Sequence, residues 1–108
     1  MSNLLEQKCE RRAAPMTEPE VRNHLAQSSG WREAGVAIEK TFAFKGWLET
    51  VAFVNALAWV CHIEDHHPDL QVSFDRCVVR FSTHSAGGIS RNDFICAAKA
   101  DALVAFAG

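Results

Sequence analysis

Hydrophobic positions along the chain predict three helices, and two of them precede residue 70. A capping-box pattern starts the first helix, which we expect over about 18–27. Val21 and Leu25 lie four positions apart and would share its buried face. A longer helix is expected from about 47 to 64, because Pro68 disfavours helical geometry in the residue before it. Its apolar positions at helical spacing are Trp47, Val51, Val54, Ala58 and Cys61.

Alternating apolar and polar residues predict strands between and after these helices. At 36–44, Ile38, Phe42 and Phe44 fall on even positions with Glu39 and Lys40 beside them, which indicates a half-buried strand. Two further strand candidates are 71–74 and 76–83. The third helix follows a Gly-Gly turn, with Ser90 as its N-cap and a body from Phe94 to about Ala105.

The order of these elements indicates one mixed domain. A chain of 108 residues fits a single domain. We expect an α+β fold with an antiparallel four-stranded sheet and helices packed on one face. Residues 1–16 are polar, and we expect them to form a flexible N-terminal arm, followed by the domain at 17–108.

Composition then narrows the classes of function. The chain is 48% hydrophobic and 22% charged with a net charge of -2, so it lacks the basic footprint of a nucleic-acid binder. The longest charge-free apolar run, 51–61, is too short to span a bilayer, and no membrane partner is expected. The chain has four cysteines. They form no C-x-x-C motif, and the N-terminus does not resemble a secretory signal. We therefore expect reduced thiols and a cytoplasmic location.

The histidines carry the candidate chemistry. Of the five in the chain, His66 and His67 are adjacent at the end of the long helix, and His84 follows the last predicted strand. Element ends are common places for functional residues. Imidazole titrates near neutrality, so one such ring can donate a proton while another accepts one.

Other interpretations of these residues stay open at this point. His24 is expected to be a surface or capping residue. A zinc site could use Cys61, His62 and His66, although the spacing departs from the zinc-protease motif. Asp93 could serve only as an acid at a helix N-terminus.

These segments together resemble the pterin-4a-carbinolamine dehydratase family. The family signature contains an acidic or basic residue, three residues, His-His-Pro, an aromatic residue, and a later His and Asp. The chain matches it with His62, His66, His67, Pro68, Phe74, His84 and Asp93. The motifs cover about 62–93, and the order of elements is compatible over about 17–106.

The resemblance implies an activity and a site. Family enzymes dehydrate a 4a-hydroxytetrahydropterin to the quinonoid dihydropterin, which recycles the cofactor of aromatic amino-acid hydroxylases. By resemblance, His67 and His84 would do acid/base work, and His66 would bind and orient the pterin. No metal and no cofactor is expected, because the pterin is the substrate. Residues expected to bind the substrate are Asp65, Pro68, Ser82, Thr83, Ser85 and Asp93.

The chain departs from the family pattern at one place, and the family also offers an alternative function. Many relatives have Glu-Lys where this chain has His62 and Ile63, so an acid that orients an imidazole would have to come from Glu64 or Asp65. The family implies a homodimer or homotetramer, formed through sheet edges and helices. Some relatives act as dimerisation partners of other proteins, so a non-catalytic interaction module is the alternative. The presence of all three histidines favours the enzyme.

Overall fold

The computed structural model describes residues 3–105, so positions 1–2 and 106–108 of the expected arm and domain lie outside it. Short 3-10 turns occupy Leu4–Glu6 and His84–Ala86. The helices and strands over this range are α1 (Glu18–Ala26), β1 (Arg32–Ala34), β2 (Ala37–Ala43), α2 (Trp47–Glu64), β3 (Asp69–Ser73), β4 (Arg76–Phe81) and α3 (Arg91–Ala105).

The four strands form one antiparallel sheet in the order β1-β2-β4-β3. In its centre, Ile38 of β2 pairs with Phe81 of β4, and Phe42 pairs with Cys77. These side chains are buried, and they form the core together with apolar residues of α2 and α3. The opposite face carries the ion pair between Arg80 and Glu39. The predicted α+β fold with a four-stranded antiparallel sheet is therefore confirmed.

Several elements differ from the sequence prediction in their presence or their bounds. β1 was not recognised as a separate strand, because it has only three residues and they are mostly polar. β3 begins at Asp69, two residues earlier than expected, and β4 ends at Phe81 rather than at 83. α3 begins at Arg91, directly after the predicted N-cap Ser90, whose hydroxyl accepts the Asn92 N–H at 3.2 Å.

α2 spans the predicted range 47–64 but buries a different face. Gly46 precedes it, and at its other end the chain turns through Asp65 in the left-handed region, at φ 53°. The buried positions are Thr50, Phe53, Leu57 and Cys61. Of the apolar spacing predicted from sequence, only Cys61 is fully buried, and the face that includes Trp59 is exposed.

The segment before α1 lies against the last helix. Lys99 of α3 donates to the Leu5 carbonyl at 2.8 Å, and a backbone bridge joins Pro15 to Ser90. The side chain of Asn92 bonds both backbone groups of Glu10, at 2.8 and 2.7 Å. These contacts tie the described part of the expected arm to the domain, and the boundary at 16 and 17 stays a prediction. No helix within residues 3–105 is long and apolar enough to cross a membrane.

Candidate functional site

A cavity of about 560 Å³ opens where five segments meet. They are the end of α2, the start of β3, the turn after β4, the start of α3, and the N-terminal residues 9–11. All three histidines of the predicted catalytic set line this cavity. Residues from distant parts of the sequence are thus brought to one place.

The turn after α2 places the two adjacent histidines differently. The His66 N–H reaches back to the Cys61 carbonyl at 3.1 Å, which is the bond that closes a Schellman motif after a left-handed residue. The side chain of His66 is only 11% exposed, whereas that of His67 is 69% exposed. Pro68 restricts the backbone of His67 and holds it in this presentation. One ring is therefore held inside and the other is free at the surface of the cavity.

His66 is fixed by a fully buried carboxylate. Its Nε2 lies 2.6 Å from Asp93 Oδ1, and its ring stacks on Phe81 with centroids 6.0 Å apart. Asp93 is in the first turn of α3 and is 0% exposed. Its second oxygen accepts the Ser90 N–H at 2.8 Å and the Thr83 hydroxyl at 2.9 Å. The Thr83 proton goes to Asp93, so the Ser90 hydroxyl, at 2.7 Å, donates to Thr83.

This network determines which nitrogen of His66 carries a proton. An ionised carboxylate only accepts hydrogen bonds, so Nε2 of His66 must be the donor to Asp93. In the neutral ring, Nδ1 is then the acceptor nitrogen. Asp93 thereby sets both the orientation and the tautomer of the ring, and it does so without lining the cavity.

His84 reaches the cavity from the turn that follows β4. Its 3-10 turn is closed by Gly87 in the left-handed region, at φ 70°. The backbone of Thr83 pairs with that of Gly88, which anchors both ends of the turn. His84 itself is exposed. Like His67, it can exchange protons with solvent or with a bound molecule.

The acids at the end of α2 have different surroundings. Glu64 accepts the Cys9 N–H at 2.8 Å and lies 3.7 Å from the Lys99 ammonium, so its two oxygens are engaged. Asp65 is exposed and lies 3.8 Å from Nε2 of His67. Of the two residues expected to replace a missing orienting acid, Asp65 is therefore the one beside a cavity histidine.

The alternative zinc ligands are not brought together. Cys61 is buried in the core, His66 turns to Asp93, and the ring of His62 stacks on Trp59 with centroids 5.8 Å apart. Within residues 3–105, no group of three His, Cys, Asp or Glu side chains is arranged to hold a metal ion. His24 lies outside the cavity, with Nδ1 3.0 Å from the Glu20 carbonyl oxygen.

Most of the residues expected at the site line the cavity. Ser82 does not line it, and Asp93 contacts it only through His66. The predicted residues found there are Asp65, His66, His67, Pro68, Thr83, His84 and Ser85. Glu64, expected only as a possible orienting acid, also lines it, and the cavity residues that sequence reasoning missed are Cys9, Glu10, Arg11, Asp69 and Asn92. The N-terminal three were missed because a polar segment before the first helix carries no periodic signal.

Comparison with known proteins decides the family. Residues 14–103 match the family described as pterin 4 alpha carbinolamine dehydratase. The chain belongs to this family. A relative from Stenotrophomonas maltophilia is 63% identical over 81 residues, which cover 73% of this chain and 70% of that protein. One from Chromobacterium violaceum is 48% identical over 103 residues, covering 94% and 95%. Both bear the name pterin-4-alpha-carbinolamine dehydratase as a provisional assignment.

Two solved structures share the fold of this dehydratase family member. A protein from Brucella melitensis, described as a transcriptional coactivator/pterin dehydratase, has a TM-score of 0.80 and 30% identity, covering 82% of this chain and 97% of that one. A pterin dehydratase-like protein, described as a RuBisCO assembly factor in the alpha-carboxysome, has a TM-score of 0.60 and 27% identity, covering 68% and 88%. The family and the names of the relatives support a pterin carbinolamine dehydratase function.

Proposed function

We propose that this protein dehydrates a 4a-hydroxytetrahydropterin to the quinonoid dihydropterin by histidine acid/base catalysis. The observation that supports this most is that His66, His67 and His84 line one cavity. Family membership supplies the substrate class. The reaction needs groups that move protons near neutral pH, and imidazole is the side chain suited to that.

The reaction requires two proton transfers. The bond between C4a and the hydroxyl oxygen breaks, and the oxygen leaves as water after it receives a proton. The proton on N5 is lost to a base, and its bonding electrons form the C4a–N5 double bond. One acid and one base on the protein therefore balance the reaction, and no electron acceptor is required.

The three histidines differ in their freedom, which supports different roles. His67 and His84 are exposed at the cavity, so they are the proposed acid/base pair. His66 is clamped between Asp93 and Phe81, which suits a ring that binds and orients the pterin. The remaining cavity side chains proposed to contact the substrate are Asp65, Pro68, Thr83 and Ser85.

A direct assay tests the proposal. A synthetic 4a-hydroxytetrahydropterin is mixed with the purified protein, and formation of the quinonoid dihydropterin is followed by absorbance. Substituting either His67 or His84 with Ala should lower kcat/KM by roughly 100-fold or more, as expected for loss of a general acid or base. The matched control is His24→Ala, a histidine outside the cavity, which should keep the wild-type rate. Wild-type rates in both cavity variants would contradict the proposal.

The proposed reaction needs no metal or cofactor, since the pterin is the substrate. Activity that survives exhaustive dialysis against a chelator would support this. The same proposal places the protein in the recycling of tetrahydropterin for an aromatic amino-acid hydroxylase, in the cytoplasm. A strain that lacks the chain should then accumulate 4a-hydroxypterin breakdown products when such a hydroxylase is active.

We also propose self-association through the exposed face of α2. Leu48, Trp59 and Ile63 lie there and are 80%, 68% and 61% exposed. The helix carries no Asp, Glu, Lys or Arg between residues 50 and 63. An exposed apolar face without charged residues favours an equally uncharged partner surface. A second copy of the same helix supplies such a surface. A homodimer, or a homotetramer made from two of them, would bury it.

One observation favours a second candidate function, that of a non-catalytic interaction module. The solved relative described as a RuBisCO assembly factor is only pterin dehydratase-like. The same α2 face would then contact a different protein. A chain that binds a defined partner stoichiometrically and fails to accelerate the dehydration would favour this candidate over the enzyme.

A further inference from the structure

Three of the four cysteines converge beside the cavity, although they come from separate segments. Cys9 lies before α1, Cys61 in α2 and Cys96 in α3. The Sγ atoms of Cys9 and Cys96 are 3.5 Å apart, and Cys61 lies near enough to influence the pKa of the Cys96 thiol. The fourth thiol, Cys77, belongs to β4 in the centre of the sheet. The proposed dehydration uses none of these thiols.

Hydrogen bonds hold the backbone in place at Cys9 and at the residue that follows it. The Cys9 N–H donates to Glu64, and the next residue, Glu10, is bonded twice to Asn92. Asn92 is one turn before Cys96 on the same helix. A disulfide needs its sulfur atoms to approach from 3.5 Å to about 2.05 Å, and the contact between the two thiols leaves only this short distance to close.

The two thiols differ in how a reagent can reach them. Cys9 is half-buried and lines the cavity, whereas Cys96 is fully buried. Hydrogen bonds to the neighbouring thiols and burial both raise the pKa of Cys96. Attack from outside therefore begins at Cys9, and Cys96 acts second, as the resolving thiol.

We propose that Cys9 and Cys96 form a thiol pair that a low-molecular-weight disulfide of the glutathione class converts to an intramolecular disulfide. The Cys9 thiolate attacks one sulfur of the reagent, and the other sulfur leaves as a thiolate. The Cys96 thiolate then attacks the Cys9 sulfur, and the second reagent thiol leaves. Both protein thiols lose their protons and are oxidised, and one reagent disulfide is reduced to two thiols.

The disulfide would join residues 9 and 96 and so close a loop of most of the chain. A crosslink across so long a loop restricts the unfolded state strongly. It would also fix the N-terminal residues that line the cavity to the helix that carries Asp93. The oxidised protein should therefore be more resistant to heat, by roughly 10 °C or more in Tm.

The test treats the reduced full chain with oxidised glutathione and follows thiol count, intact mass and Tm. The free-thiol count should fall from four by two, and the mass should fall by two hydrogens. Peptide mapping should recover Cys9 linked to Cys96, and a reductant should reverse every change. Cys9→Ser, at a half-buried position, should lose both the crosslink and the gain in Tm. Cys77→Ala is the matched control and should still form the crosslink.

Several results would overturn the proposal. They are a stable glutathione adduct on Cys9, a link between Cys61 and Cys96, a disulfide between two copies of the chain, or no loss of thiols at high reagent concentration. Formation of the same crosslink in Cys9→Ser would also do so. These readouts report thiol chemistry alone, so they stand whether or not the protein dehydrates a pterin.

Discussion

Replacing Asp93 by Asn changes the His66 ring without changing the size of the side chain that holds it. Asp93 accepts three hydrogen bonds, and its Oδ2 takes two of them, from Ser90 and Thr83. The single amide oxygen of Asn should occupy that position, because the Ser90 backbone N–H there can only donate. The NH₂ group then faces Nε2 of His66 and donates to it, which moves the ring proton to Nδ1.

The size of the effect can be worked out from the bonds that are changed. A hydrogen bond to a charged group contributes about 1.5–3 kcal/mol, and the weaker amide contact to His66 recovers part of it. The expected loss of stability is therefore about 1–2 kcal/mol, or a fall in Tm of about 4–15 °C for a domain of this size. Because the other ring nitrogen, Nδ1, changes from acceptor to donor, the proposed contact between His66 and the pterin should be lost and kcat/KM should fall by roughly 10- to 100-fold, the range expected for a lost positioning contact.

The assay combines activity, unfolding and ring NMR. The ¹⁵N shifts of His66 should change from the Nε2–H to the Nδ1–H tautomer in Asp93→Asn. The matched control is Ser90→Ala, which removes another member of the same buried network. It should lower Tm by a similar amount while the tautomer stays as in the wild type. The reasoning is refuted if Asp93→Asn keeps the Nε2–H tautomer, or if Ser90→Ala shifts it equally.

Three further predictions concern the rest of the molecule. Thr17→Ala removes the hydroxyl that accepts the Glu20 N–H in the capping box, and should cost about 1 kcal/mol, or about 4–8 °C in Tm by calorimetry; an unchanged Tm would contradict it. Trp59→Glu places a charge on the exposed face of α2 and should shift the protein to the monomer in sedimentation experiments. A wild-type protein that already sediments as a monomer would disprove this prediction. Burial raises the pKa of Cys77 in the folded protein above its ordinary value of 9.0. Above pH 9.0 the thiol therefore ionises in the unfolded chain but not in the folded one, which favours unfolding. Stability to urea should thus hold below pH 9.0 and decline as the pH rises above it, less steeply in Cys77→Ala; equal slopes would refute this.

Local signals were sufficient for most elements of the fold. The capping box at Thr17 is formed as the sequence indicates, and α2 ends before Pro68 because the chain must leave helical geometry there. The buried face of α2 could not be chosen correctly, because almost every side of the helix is apolar. When polar residues do not mark the solvent side, the hydrophobic repeat does not indicate which face of the helix is buried. Tertiary packing then decides that Leu57 rather than Ala58 points inward.

The candidate site was predictable where its residues share a motif and not where they meet only in space. The histidines come from a recognisable spacing, and all three line the cavity. Glu10 and Arg11 line the cavity because hydrogen bonds hold the backbone of Glu10 against Asn92, which lies far away in sequence. The role of Asp93 was hidden for a related reason. The family signature included Asp93, but an acid in the first turn of a helix suits the helix dipole in any protein, so its bond to His66 could not be predicted from the sequence.

The left-handed turn at Asp65 has a consequence for how the length of this chain can vary. Each residue added to a helix rotates the later part of the chain by about 100° around the helix axis. A single insertion in the last turn of α2, between Cys61 and Glu64, would therefore swing His66 out of reach of Asp93, whereas an insertion at the Gly35 turn would only lengthen an exposed hairpin. The number of residues between Cys61 and His66 is therefore constrained, and deletions or insertions there should be far more damaging than most substitutions.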